Sequence, residues 1–206
     1  MSVVAASVLG LGLGLKHAFE ADHVAAVCTF VARGGTVARA AWSGALWGLG
    51  HGAVMVLAGG ALVASGATVP PSIALALDVA VAVMLVGLGI GALVSRRQKP
   101  AEDGAEDSTP PKTVKRPLLV GLVHGASGTA ALTLLVASTM QARTAALVFV
   151  GVFGLASVIG MALIAALVAW PMRSLTRVAP SLGPRLQALA GLGSIAAGIA
   201  VATTVF

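Results

Sequence analysis

The chain alternates long apolar runs with short polar breaks. A helix needs about 20 residues to cross about 30 Å of hydrocarbon. Six stretches reach that length: 3–31, 41–66, 71–95, 117–140, 144–170 and 185–206. Turn or charge signals separate them: Arg33-Gly34-Gly35, Pro70-Pro71, Gln141-Ala142-Arg143, and Arg173 to Pro184. Residues 96–116 hold Pro100, Pro110, Pro111 and mixed charge, and read as a flexible linker. The pattern predicts an all-α integral membrane protein with six transmembrane helices. Residues 1–95 form the first three-helix unit and 117–206 the second.

Composition excludes the other broad classes. Hydrophobic residues make up 58% of the 206 residues and charged residues 10%. A soluble domain carries about 25% charge, so this chain cannot cover a water-facing globule. It is also too apolar to stay solvated as a disordered chain. Cys28, the one cysteine, has no partner for an intrachain disulfide. A cleaved signal peptide is a poor reading of residues 1–20, because no positive charge precedes the apolar run.

The net charge of +6 is placed on one side. The loops after the first, third and fifth stretches carry 11 Lys or Arg, and the other side carries only Arg143. That asymmetry orients the chain in the cell membrane with both termini outside and the 96–116 loop cytoplasmic. It also removes the nucleic-acid reading of the positive charge. Lipid headgroups are the ordinary partner for such a loop.

The two halves resemble each other. Gly14-Leu15-Lys16-His17-Ala18 aligns with Gly121-Leu122-Val123-His124-Gly125 at an offset of 107, and Trp47-Gly48-Leu49 with Phe153-Gly154-Leu155 at 106. His51 then meets Ser157 and Met55 meets Met161. Three spans per copy force the second copy to cross the other way, giving inverted repeats with a site near the midplane. Gly44, Gly48, Gly52, Gly87, Gly91, Gly191 and Gly198 are expected to let helices approach closely.

The candidate chemistry sits in the first stretch. Lys16, His17, Glu20, Asp22 and His23 lie near its centre. Three formal charges at mid-span cost roughly 8–10 kcal/mol on an insertion scale, if Glu is treated like Asp. Such a cost calls for pairing, water or a bound cation. A Lys16–Glu20 pair at i,i+4 is the purely structural solution, but it leaves Asp22 and both histidines unexplained. All four histidines, His17, His23, His51 and His124, fall in apolar stretches. With two carboxylates they form an imidazole-rich set that suits Ni, Co, Zn or Mn rather than Mg or Ca. Cys28 is expected to be small packing. On a straight helix His17, Glu20 and His23 share an arc of roughly 120° with Asp22 well off it. Either the helix breaks near here, where Gly10, Gly12 and Gly14 precede the cluster, or Asp22 orients a histidine from behind.

The run from His17 to His23 resembles the H-x-x-x-x-D-H signature of the nickel/cobalt transporter family. Leu49-Gly50-His51-Gly52 is similar to that family's second histidine motif, and Val123-His124-Gly125 to segments of its six-span branch, which includes urease-accessory-like membrane proteins. The resemblance implies a metal-selecting role for His17, Asp22 and His23, with Ni²⁺ or Co²⁺ as substrate and no permanently bound cofactor. The chain departs from the family in having six stretches rather than eight, Lys16 where Arg is common, and Glu20 where Asp is common.

Other readings are weaker. Gly125-Ala126-Ser127-Gly128 resembles the rhomboid protease motif, but that chemistry needs a histidine base from the last span, and 185–206 has none. There is no G-x-x-x-x-G-K-[ST] loop and no H-E-x-x-H. Trp42 and Trp170 read as interface anchors and Trp47 as packing. Asp78 is expected to line the pathway, pair with Lys16 or meet interfacial water. The sequence thus predicts a divalent-metal permease, not an enzyme, with His17, Glu20, Asp22, His23, His51 and His124 as candidate ligands. A homo-oligomer is possible. The alternative is a non-transporting membrane accessory protein that binds metal for a maturing enzyme.

Overall fold

The computed structural model describes residues 1–32, 34–95 and 114–205. Eight α-helices account for most of these: α1 (Val3–His17), α2 (Ala21–Val31), α3 (Val37–Val54), α4 (Gly60–Ser65), α5 (Pro71–Ser95), α6 (Lys115–Thr139), α7 (Arg143–Val178) and α8 (Gly183–Val205). A π-turn, Met55–Gly59, joins α3 to α4 without a loop, and a 3₁₀ turn, Pro180–Leu182, joins α7 to α8. No strand occurs among the described residues. Most of the linker, residues 96–113, lies outside them.

Four helical segments are long and apolar enough to cross a membrane: Val37–Ser65, Pro71–Ser95, Arg143–Val178 and Pro180–Thr204. The α1–α2 pair, bent by 54° at a short break, makes a fifth when its two halves are counted as one span. The chain is therefore a multi-pass membrane protein. Helix α6 spans 25 residues at the position of the fourth expected crossing.

The helix starts follow from local chemistry. Ser2 accepts from the backbone N–H of Ala5 at 3.2 Å, and Thr36 from that of Arg39 at 3.1 Å. Each satisfies an N–H that the first helical turn leaves without a partner. Pro71 opens α5, where a missing N–H is harmless. The expected separator from Arg173 to Pro184 is mostly helical instead. α7 continues through Pro171 to Val178. Polar residues are compatible with helix once the chain has left lipid, and Pro171 removes only one ladder bond.

Close approaches of backbone fix the packing directions. α1 lies parallel to α7: a methyl group on Gly10 would meet the Phe149 carbonyl oxygen, and one on Gly14 that of Phe153. α6 lies parallel to α3: a methyl group on Gly121 would collide with the Trp47 carbonyl oxygen and one on Gly125 with that of His51. α3 runs antiparallel to α7, with Gly44 against Met161 and Gly52 against Gly154. α5 runs antiparallel to α8, with Gly89 against Gly191 and Gly198 against Ala82. Ser194 on α8 also donates to the Leu85 carbonyl at 2.7 Å. Gly44, Gly48, Gly52, Gly191 and Gly198 therefore sit at helix contacts. Gly87 does not: a methyl there would meet nothing, and Gly89 occupies the crossing instead.

Candidate metal centre

The site begins with the interruption of the first stretch. Phe19 N–H donates to the Lys16 carbonyl at 2.9 Å and Glu20 N–H to that of His17 at 3.1 Å. These i→i−3 bonds end the α-helical ladder, and Glu20, in an extended conformation, starts α2. The break lies at Ala18–Glu20, not at the glycines before it. Gly10 and Gly14 serve contact with α7, and Gly12 faces open space.

The bend rotates α2 so that Asp22 turns inward with His23. The Asp22 carboxylate lies 2.8 Å from His23 Nδ1 and 3.0 Å from His124 Nε2. A carboxylate only accepts, so both ring nitrogens carry the proton. The same carboxylate accepts the backbone N–H of His23 at 2.8 Å. Position in the first turn of α2 also favours the negative charge. Asp22 thus orients two histidines, one of them from α6.

Glu20 does the same for His17, with Oε2 2.9 Å from Nδ1. The i,i+3 spacing makes this possible. Glu20 therefore pairs with His17 rather than with Lys16. The other nitrogen of His17, Nε2, stands 3.1 Å from Nε2 of His51 on α3. His51 reaches this point because Gly121 and Gly125 let α6 press against the α3 backbone around it.

All four imidazoles form one cluster. Ring centroids are 4.4 Å apart for His17 and His23, 5.1 Å for His17 and His51, and 4.2 Å for the stacked pair His23 and His124. His23, His51 and His124 are each at most 3% exposed. Buried polar atoms nearly always find a partner. Here His23 Nε2, His51 Nδ1, His124 Nδ1 and the indole nitrogen of Trp47 have none. Two triads bring one ligand atom per residue within 4.8 Å of one another: His17, His23 and His51, and Asp22, His23 and His124.

The cluster walls a cavity of about 290 Å³. Its other lining includes Leu13, Met55, Ser127, Gly128, Leu135 and Phe153. Given the helix directions, these residues lie on the side of the histidines where α1 and α7 begin. On the opposite side stands an apolar cluster that includes Val27, Trp47, Val120, Met161 and Ile164.

The six sequence candidates therefore meet at one place. Cys28 is half-buried and free, and is not among the cavity-lining residues. Asp78 pairs with neither Lys16 nor a histidine; it accepts the Ser127 hydroxyl and links α5 to α6. Ser127 is thus tied to a carboxylate rather than to a histidine base. Met55 and Phe153 were not expected in the site. Met55, one turn after His51, and Phe153, the equivalent of Trp47 in the second half, carry the signal in their positions. Trp47 is buried, as expected of a packing residue, and Trp42 and Trp170 are exposed.

No family model matches the sequence, and no solved structure matches it. The chain is 31% identical over 162 residues to a protein of Bacillus sp. (strain TB-90) named urease accessory protein UreH. The match covers 74% of this chain and 71% of that relative. The relative's name is that of an accessory protein.

Proposed function

Since the chain belongs to the family of the urease accessory protein UreH, we propose that it is a membrane permease for a divalent transition metal ion, nickel or cobalt. One observation carries the reading: His17, His23 and His51 converge from three helices on a cavity inside a membrane bundle. In this reading His17 Nε2, His23 Nε2 and His51 are the ligands. Glu20 and Asp22 fix the histidines from behind, which sets the tautomer and raises ligand basicity. The 3.1 Å between His17 and His51 nitrogens suits a shared ion. At metal–nitrogen distances of about 2.0–2.1 Å it subtends roughly 95–102°. The choice of nickel or cobalt comes from the resemblance of His17 to His23 to the transporter signature.

The ion needs no ATP to move inward. A dication gains about 4.6 kcal/mol per 100 mV, at about 2.3 per charge. Six crossings with both termini outside fit the charge asymmetry of the loops. An inverted repeat is supported by paired contacts. α1 on α7 mirrors α6 on α3: Gly14 meets Phe153 where Gly121 meets Trp47. Ser157 donates to the Gly14 carbonyl at 3.3 Å, beside the place where His51 meets Gly121 in the other half.

The relative's name favours a second reading, a membrane accessory that holds metal for a maturing enzyme and moves none. Counterflow of Ni²⁺, Co²⁺ and Zn²⁺ in proteoliposomes separates the two. Saturable Ni²⁺ or Co²⁺ exchange supports the permease. Binding without flux supports the accessory.

A further inference from the structure

Asp22 and His124 present a problem for a site with one metal position. His124 belongs to the cluster, yet the His17–His23–His51 triad is complete without it. Its Nδ1 is buried and unpartnered. The cluster is also layered. His17 packs on Phe153, another residue of the cavity wall, at 5.4 Å between ring centroids. His23 and His124 pack on Trp47 at 5.5 and 5.8 Å, toward the apolar floor.

We infer that the cluster holds two successive positions for one divalent cation, an upper one at His17, His23 and His51 and a lower one at Asp22, His23 and His124. The inference rests on the metal-binding reading above and deepens it. The lower position has two imidazoles and a carboxylate, a nitrogen–oxygen set suited to Co²⁺, Ni²⁺ or Zn²⁺. Its spacings fit an ion. Oδ1 of Asp22 lies 2.8 Å from His23 Nδ1 and Oδ2 lies 3.0 Å from His124 Nε2, and one ligand atom from each of the three residues lies within 4.8 Å of the others.

His23 makes the two positions exclusive. A neutral imidazole has one lone-pair nitrogen and one N–H. With Nδ1–H on Asp22, His23 offers Nε2 to the upper position. To serve the lower position, His23 must carry its proton on Nε2 instead of Nδ1, which removes that ligand from above, and His124 must carry its own on Nδ1, the nitrogen left without a partner. One chain therefore holds one ion at a time, and His23 hands it from one triad to the other. The path leads from the open cavity toward Trp47.

The test is Co²⁺ binding to the full chain in detergent, followed by titration and visible absorption. The proteins are the parent, His51→Ala, His124→Ala and the double variant. The parent should bind one Co²⁺ per chain. His124→Ala should still bind one, with the parent's spectrum and a smaller loss of affinity than His51→Ala. His51→Ala should bind one more weakly, with a different spectrum. The double variant should show no saturable binding. Glutamine at either position replaces alanine if a variant does not elute as a single folded species. The inference is overturned if His124→Ala weakens binding as much as His51→Ala, if His51→Ala binds nothing, if its binding survives in the double variant, or if the parent holds two ions. Co²⁺ flux in proteoliposomes adds an independent arm. A parent that binds but carries no ion ends the permease reading and leaves the binding series to decide the two positions. A His124→Ala protein that transports like the parent overturns the relay.

Discussion

At the scale of single residues, each carboxylate holds a histidine in place, and in the two-position reading Asp22 is also the oxygen ligand of the lower position. Asp22 touches His23 and His124, and Glu20 touches His17. Replacing Asp22 by Asn keeps the shape, removes the charge and puts an amide N–H₂ where a pure acceptor stood. Metal affinity is expected to fall about 10–100-fold, the usual effect of losing a partner behind a ligand. Isothermal titration with Ni²⁺ or Co²⁺ checks it, and an unchanged affinity means that the carboxylate has no hold on the site. His17→Ala and His23→Ala each remove a proposed nitrogen ligand and should lower both binding and flux. Cys28→Ser should change neither. If the histidine variants fold and exchange metal like the parent, the cluster is a buried polar clamp. The candidate residues themselves were legible in the sequence, because charged groups and imidazoles in apolar stretches are costly enough to stand out. Their partners were not. Nothing local links Asp22 to His124, 102 positions away, or Asp78 to Ser127. Those contacts depend on how α6 docks on α2 and α5.

At the scale of elements, the requirement that Asp22 and His23 face the same centre made a broken helix legible. The location was misread, because glycine marks both flexible backbone and tight contact. Gly10 and Gly14 are contact residues, and the break is made by the i→i−3 turns at Phe19 and Glu20. The same ambiguity yields a sharp prediction on α1. A methyl group at Gly14 would enter the backbone of α7, whereas Gly12 has nothing nearby. Gly14→Ala should therefore destabilise the protein by about 1–3 kcal/mol through overpacking. Gly12→Ala should stabilise α1 by about 0.5–1 kcal/mol, as alanine does inside a helix. Gly121→Ala should behave like Gly14→Ala, since it meets the backbone of α3 at Trp47. Thermal unfolding in detergent measures all three. Equal effects at Gly12 and Gly14 would show that α1 does not lean on α7.

At the scale of the whole molecule, the cavity and the loop charges can be set against each other. The cavity lining beyond the histidines, Leu13, Met55, Gly128 and Phe153, lies toward the end of the bundle where α1 and α7 begin. That end carries Arg143, while the loops after the first, third and fifth apolar stretches hold 11 Lys or Arg in the sequence. If the loop charges orient the chain as the sequence predicts, this side of the cavity faces outside the cell, with the Trp47–Val120–Met161 cluster between the histidines and the cytoplasm. Under the permease reading, access to the histidines from one side at a time is what alternating access requires. In a Cys28→Ser background, a membrane-impermeant thiol reagent added to intact cells should label Gly128→Cys. Saturating Co²⁺ or Ni²⁺ should slow that labelling, because an ion at the histidines narrows the route. Met161→Cys, buried in the floor, should stay unlabelled from either side. Labelling of Gly128→Cys only in inverted vesicles would reverse the orientation and place the open cavity on the basic side. The charge count would then have misjudged the topology, and the histidines would face a cytoplasmic source of metal, the geometry an exporter or an accessory protein needs.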